Sequence, residues 1–110
     1  MTAKEFAEYT VKVLEDHKAE NVVIIDVKEK SSVADYFVIA GGRSMTHTRS
    51  LIEFVEEEAE KIGVSATRAD GVKEGRWAVL DFGDVIVHIF NDETRLLYHL
   101  EDLWGDKEKA

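Results

Sequence analysis

Trp77-Ala78-Val79-Leu80-Asp81-Phe82-Gly83-Asp84-Val85-Ile86-Val87-His88-Ile89-Phe90 is the stretch whose reading decides the fold. It reads as two strands joined by a two-residue turn at Gly83-Asp84. A glycine leading such a turn takes positive φ without a Cβ clash, which suits a primed hairpin. Setting Phe82 opposite Val85 pairs Leu80 with Val87 and Ala78 with Ile89, and every member of this face is apolar. The other face carries Trp77, Val79, Asp81, Ile86, His88 and Phe90. A slip of one residue exchanges the faces, so the wholly apolar side fixes the register. That side belongs in the core. The mixed side, with an indole beside an acid and an imidazole, is where function is sought.

Upstream, Thr2-Ala3-Lys4-Glu5 has the form of a capping box, and Phe6, Ala7, Thr10, Val13, Leu14 and His17 follow at helical spacing. Val22 to Val27 is a run of β-branched residues interrupted only by Asp26, which predicts a strand buried on both faces and central in the sheet. Asp35 to Ala40 predicts its antiparallel neighbour. Gly41-Gly42-Arg43 then reads as a turn and Ser44 as an N-cap. Thr48, Leu51, Ile52, Val55, Ala59 and Ile62 form the apolar stripe of a long helix that ends at Gly63. Val64 to Arg68 predicts a short strand, and 70–75 a loop. After the hairpin, Asn91 or Asp92 caps a last helix bearing Leu96, Leu97, Leu100, Leu103 and Trp104.

The sum is a single α/β domain over residues 1–105 with a short, frayed, charged tail at 106–110. It has a mixed sheet of about five strands. The helices are expected mainly on the face of Leu80 and Val87, leaving the Trp77 face partly open.

A chain of 110 residues is one domain by length and buries roughly two-thirds of its unfolded surface. Cysteine is absent, which excludes disulfides and cysteine metal sites. No run of about 18 apolar residues and no basic-then-apolar leader pattern occurs, so the expectation is a cytoplasmic protein. With 23 acids against 14 bases, the net charge is −9. Direct nucleic-acid binding is not expected, because phosphate affinity comes mainly from lysine and arginine. A basic protein surface is the better match, unless the charge serves only solubility.

Chemistry is thinly supported. Asp81 and His88 are diagonal neighbours on the mixed face and could orient a general base, but no nucleophile stands beside them. A surface ion pair or a satisfied strand histidine explains them better. His17, His47, His88 and His99 are scattered without ligand spacing, so no metal and no cofactor is expected. The Gly41-Gly42 turn lacks a following lysine and the GxGxxG spacing, which favours a plain turn over a phosphate cradle. Glu56, Glu57, Glu58 and Glu60 read as a solvated helix face.

Asp35-Tyr36-Phe37-Val38-Ile39-Ala40, Gly42-Arg43-Ser44, the hairpin itself, Arg95-Leu96-Leu97-Tyr98 and Leu100-Glu101-Asp102-Leu103-Trp104 together resemble the ribosomal silencing factor family, also called the Iojap family. The resemblance runs in order from residue 4 to residue 104. It implies a fold related to the nucleotidyltransferases but without their catalytic acids, and a non-enzymatic factor. The family's members bind a protein of the large ribosomal subunit at the face that meets the small subunit. They block subunit joining sterically and repress translation, and they often form homodimers when free.

Carried onto this chain, the resemblance makes Trp77 an apolar anchor and Asp81 a carboxylate for a basic partner group. Val79 lies on the same face, and Phe90 extends the patch. Arg95 and Tyr98 match the last-helix motif, and the resemblance leaves open whether they contact the partner or pack. Thr46 stands where many members carry arginine, and Asp70-Gly71 replaces a Glu-Gly. The competing expectation is a nucleotide-binding or nucleotidyltransferase-like enzyme using Asp81 and His88. A plain dimerisation module, with the Trp77 face buried against its own copy, is a third.

Overall fold

The computed structural model describes residues 1–30, 32, 34–71, 76–91 and 107–109. The expected last helix, with Arg95 and Tyr98, and residues 72–75 lie outside the described residues. In chain order the elements are α1 (Ala3–Asp16), β1 (Glu20–Asp26), β2 (Tyr36–Gly42), α2 (Met45–Lys61), β3 (Arg68–Asp70), β4 (Trp77–Asp81), β5 (Val85–Asn91) and β6 (Lys107–Lys109). The strands form one mixed sheet in the order β3-β4-β5-β2-β1-β6. Only β2 and β5 run parallel, with Tyr36 beside Val85 and Gly42 beside Asn91. The other neighbours are antiparallel.

Local chemistry sets the helix starts as the sequence implies. Thr2 Oγ1 accepts from the Glu5 amide, and Glu5 accepts from the Thr2 amide, which satisfies two amides that the helix leaves unpaired. Ser44 Oγ accepts from the His47 amide at the start of α2. Both helices lie on one face of the sheet. Phe6, Ala7, Val11, Leu14, Leu51, Ile52, Val55 and Ala59 pack there with Val38, Ala78, Leu80, Val85, Val87 and Ile89 in one apolar cluster. Tyr9 ties the two helices by donating its hydroxyl to the Glu58 backbone oxygen at 3.2 Å. The hairpin register is the expected one, with Leu80 opposite Val87 and Ala78 opposite Ile89, and Gly83 takes φ 92° at the turn. No described helix is long and apolar enough to cross a membrane.

Several expectations need correction. All seven residues of β2 are buried, and β2 sits nearer the middle of the sheet than β1, which lies between β2 and β6. The apolar run of β1 is buried on both faces as expected: helices cover one face, where Val22 and Ile24 lie, and a second cluster of Val23, Ile25, Val27, Phe37, Ile39 and Phe90 fills the other. Among the described residues the Trp77 face is therefore less covered toward β3 and β4. The expected strand at Val64 begins later, at Arg68, because Val64 and Ala66 turn inward against the helix-side core before the ladder starts. Ile62 does not continue the α2 stripe. It is the C-cap and is 39% exposed. The tail is not frayed along Lys107–Lys109, which pairs with Ile25 to Val23 of β1 and uses its outer backbone groups.

Gly42 belongs to β2 rather than to a loop, and its hydrogen makes room for α2. A Cβ there would collide with Thr48 Oγ1 and lie 3.0 Å from Thr48 Cα. Thr48 is wholly buried and bonded through its hydroxyl to the Ser44 carbonyl, so it has nowhere to go. Gly42→Ala is expected to cost about 1–3 kcal/mol through overpacking, read as a lower urea midpoint at unchanged slope.

Candidate functional site at the Trp77 edge

The site begins where β4 begins. Trp77 opens the strand opposite Phe90, Val79 stands opposite His88, and Asp81 stands opposite Ile86. On the other side of β4, Asp70 lies opposite Val79 and Arg68 opposite Asp81. β3 is exposed along all three residues, while Trp77, Val79 and Asp81 are partly buried. An indole, a valine and a carboxylate thus alternate along one strand, flanked by the Arg68–Asp70 ion pair at 2.9 Å.

Trp77 is held from several sides. Its ring stacks on Phe90 at 5.2 Å between centroids, with the planes 20° apart. Its Nε1–H donates to His88 Nδ1 at 3.1 Å. Before it, Gly71 has φ 74°, and a Cβ there would strike the Trp77 carbonyl. Only glycine lets the end of β3 pass so close to the start of β4.

Asp81 is fixed by the turn that follows. Its Oδ1 accepts from the Gly83 amide at 2.8 Å, and its backbone oxygen accepts from the amide and hydroxyl of Thr67. His88 is 7% exposed, and burial pushes its imidazole down to about 4. Among the described residues its Nε2 is the one buried side-chain nitrogen or oxygen without a hydrogen-bond partner.

The expected patch is therefore redrawn. Phe90 is 0% exposed and cannot extend a contact surface; it is the floor on which the indole lies. The Asp81–His88 pair does not form. Both Trp77 and Asp81 are diagonal to His88, and the indole takes the imidazole. A carboxylate pays heavily for entering an apolar pocket, whereas Asp81 finds an amide at the exposed turn. Arg68 and Asp70 were missed as members of this edge. No local pattern marks them, because all three residues of β3 are exposed.

The Gly41-Gly42-Arg43-Ser44 region borders a cavity of about 350 Å³ lined by His17, Lys18, Arg43, Ser44 and His47. Its polar groups are engaged with one another. The Arg43 amide donates to His47 Nδ1, His47 Nε2 meets the His17 carbonyl, and Arg43 pairs with Glu20 at 3.4 Å. Among the described residues no three His, Asp or Glu side chains converge as metal ligands do.

A sequence model of the family described as "Ribosomal silencing factor during starvation" matches residues 1–110. The chain belongs to the ribosomal silencing factor family. A ribosomal silencing factor from Halalkalibacterium halodurans is 36% identical over 106 residues, covering 96% of this chain and 91% of that protein. A crystal structure from Chromobacterium violaceum superposes with a TM-score of 0.93 at 27% identity, covering 100% of this chain and 92% of the other. Mouse "Mitochondrial assembly of ribosomal large subunit protein 1" is 28% identical over 105 residues, covering 93% of this chain and 46% of that longer protein. Membership of the ribosomal silencing factor family gives the chain a regulatory role toward the ribosome, and with it a place in translational control.

Proposed function

We propose that the Trp77 edge docks this chain on a protein of the large ribosomal subunit, at the face that meets the small subunit, and that its bulk there prevents the subunits from joining. The observation that carries the reading is the locked indole beside Val79 and the Asp81 carboxylate, all three partly exposed along β4. Family membership and the printed name of the mouse relative, which refers to the large subunit, support the same target. Ribosomal proteins that hold RNA are basic, and a chain of net charge −9 meets such a surface with complementary charge. On this reading the chain makes and breaks no bond, needs no cofactor, and acts in the cytoplasm where subunits join. A free homodimer that opens to bind is compatible with it, and light scattering of the chain with and without subunits tests that.

The test is sedimentation with purified large subunits, followed by a subunit-joining assay. Trp77→Ala is expected to keep the fold yet lose about 2 kcal/mol of affinity, roughly thirtyfold, as buried aromatic anchors do. Undiminished co-sedimentation of that variant removes the proposal. Asp81→Asn preserves the oxygen that caps the Gly83 amide and deletes only the charge. It is expected to weaken binding by about threefold at low salt, with the difference fading near 0.5 M as ions screen it. A loss that is equal at both salts argues against a charged partner group.

A further inference from the structure

His88 occupies a buried strand position that a valine or phenylalanine would fill without leaving a polar atom unpaired. It lies among Phe37 at 4.8 Å, Phe90 at 6.4 Å and the Trp77 ring at 6.1 Å, with Val79 and Ile39 as its strand neighbours. Among the described residues its Nε2 has no partner. Toward Trp77 the imidazole supplies what an apolar side chain does not, an acceptor at Nδ1. An indole nitrogen can only donate, so the 3.1 Å bond from Trp77 requires a bare Nδ1. The ring is therefore neutral with its proton on Nε2, and an imidazolium would set two donors against each other.

We infer that His88 is the positioning residue of the docking edge: its Nδ1 holds the Trp77 indole N–H and so fixes the orientation in which the indole meets a ribosomal protein. This rests on the docking role of Trp77 proposed above. Phe90 supplies the plane on which the indole lies, and the bond to His88 fixes which way the edge bearing Nε1 points. That orientation is set before binding, which spares part of the ordering cost of association.

The experiment compares ¹⁵N-labelled wild type with His88→Asn and His88→Leu in the full chain. Asparagine and leucine have the same shape. The amide oxygen of asparagine takes the place of Nδ1, while leucine offers no acceptor there. Two readouts are taken: the ¹⁵N shifts of His88 with the indole Nε1–H resonance of Trp77, and affinity for purified large subunits. The wild type is expected to show the Nε2–H tautomer and a hydrogen-bonded indole proton. Leucine is expected to lose that indole signature and about tenfold in affinity, although it is the more apolar occupant; asparagine keeps both within about threefold. An Nδ1-protonated tautomer, an indole resonance unmoved by leucine, wild-type affinity for His88→Leu, or an equal loss in both variants overturns the inference. Wild type that fails to bind subunits at all overturns the docking role of Trp77 instead, and the two resonances still decide whether His88 holds the indole.

Discussion

Phe90→Ala is expected to remove about 4 kcal/mol of folding stability, the largest loss from any single truncation in the hairpin. Phe90 is wholly inaccessible and stands in the second apolar cluster, facing Trp77 at 5.2 Å and His88 at 6.4 Å. Truncation deletes its own burial and leaves a void floored by paired strand backbone, which relaxes little. The neighbours are rings fixed by stacking and by the Trp77–His88 bond, so they do not collapse into the gap. Urea unfolding at neutral pH measures the effect. A loss below about 1.5 kcal/mol means the cluster repacks and the rings are less constrained than their geometry indicates. Phe54→Ala is the control: that ring is 37% exposed and stacks on His17, so its loss is expected to stay near 1 kcal/mol.

Acid is expected to weaken the fold through His88 earlier than through the carboxylates. Burial holds the folded imidazole at about 4, against 6.5 for the free side chain. Above 6.5 both states are neutral and the group contributes no penalty. As pH falls from 6.5 toward 4, the unfolded chain takes up a proton that the folded chain refuses, so stability drops. Below 4 both states are charged and the loss levels off. The linkage amounts to about 2 kcal/mol by pH 5 and ~3 kcal/mol when complete. Glu5 and Glu58, lowered chiefly by hydrogen bonds with Thr2 and Lys61, add losses of the same sign at lower pH. Glu56, raised by burial, acts in the opposite sense. Comparing urea midpoints of wild type and His88→Asn at pH 7.5 and 5 isolates the histidine. Equal slopes of stability against pH in the two proteins contradict the assignment.

The hairpin was legible because its period-two pattern admits one register with a fully apolar side, and the capping residues Thr2, Glu5 and Ser44 mark helix starts by local chemistry alone. What stayed hidden depends on contacts distant in sequence. The β-branched run of β1 shows two-sided burial but not whether strands or apolar side chains supply it. The Trp77–His88 bond was one of two diagonals open to the imidazole, and only the burial of His88 decides between an indole and a carboxylate. Phe90 and Trp77 look alike as strand aromatics; their difference in exposure comes from β1 and β2 packing beside Phe90. Arg68 and Asp70 entered the site through β3, whose place at the sheet edge no local pattern announces.

The parallel pairing of β2 with β5 ties together segments separated by nearly half the chain. Closing so large a loop delays the gain from contacts, so sheet closure is expected to be the slow event of folding, with the local hairpin forming before it. During synthesis, β2 must wait unpartnered on that edge until Val85–Asn91 clears the exit tunnel. The stack of Trp77 on Phe90 and its bond to His88 therefore form only once β5 has emerged.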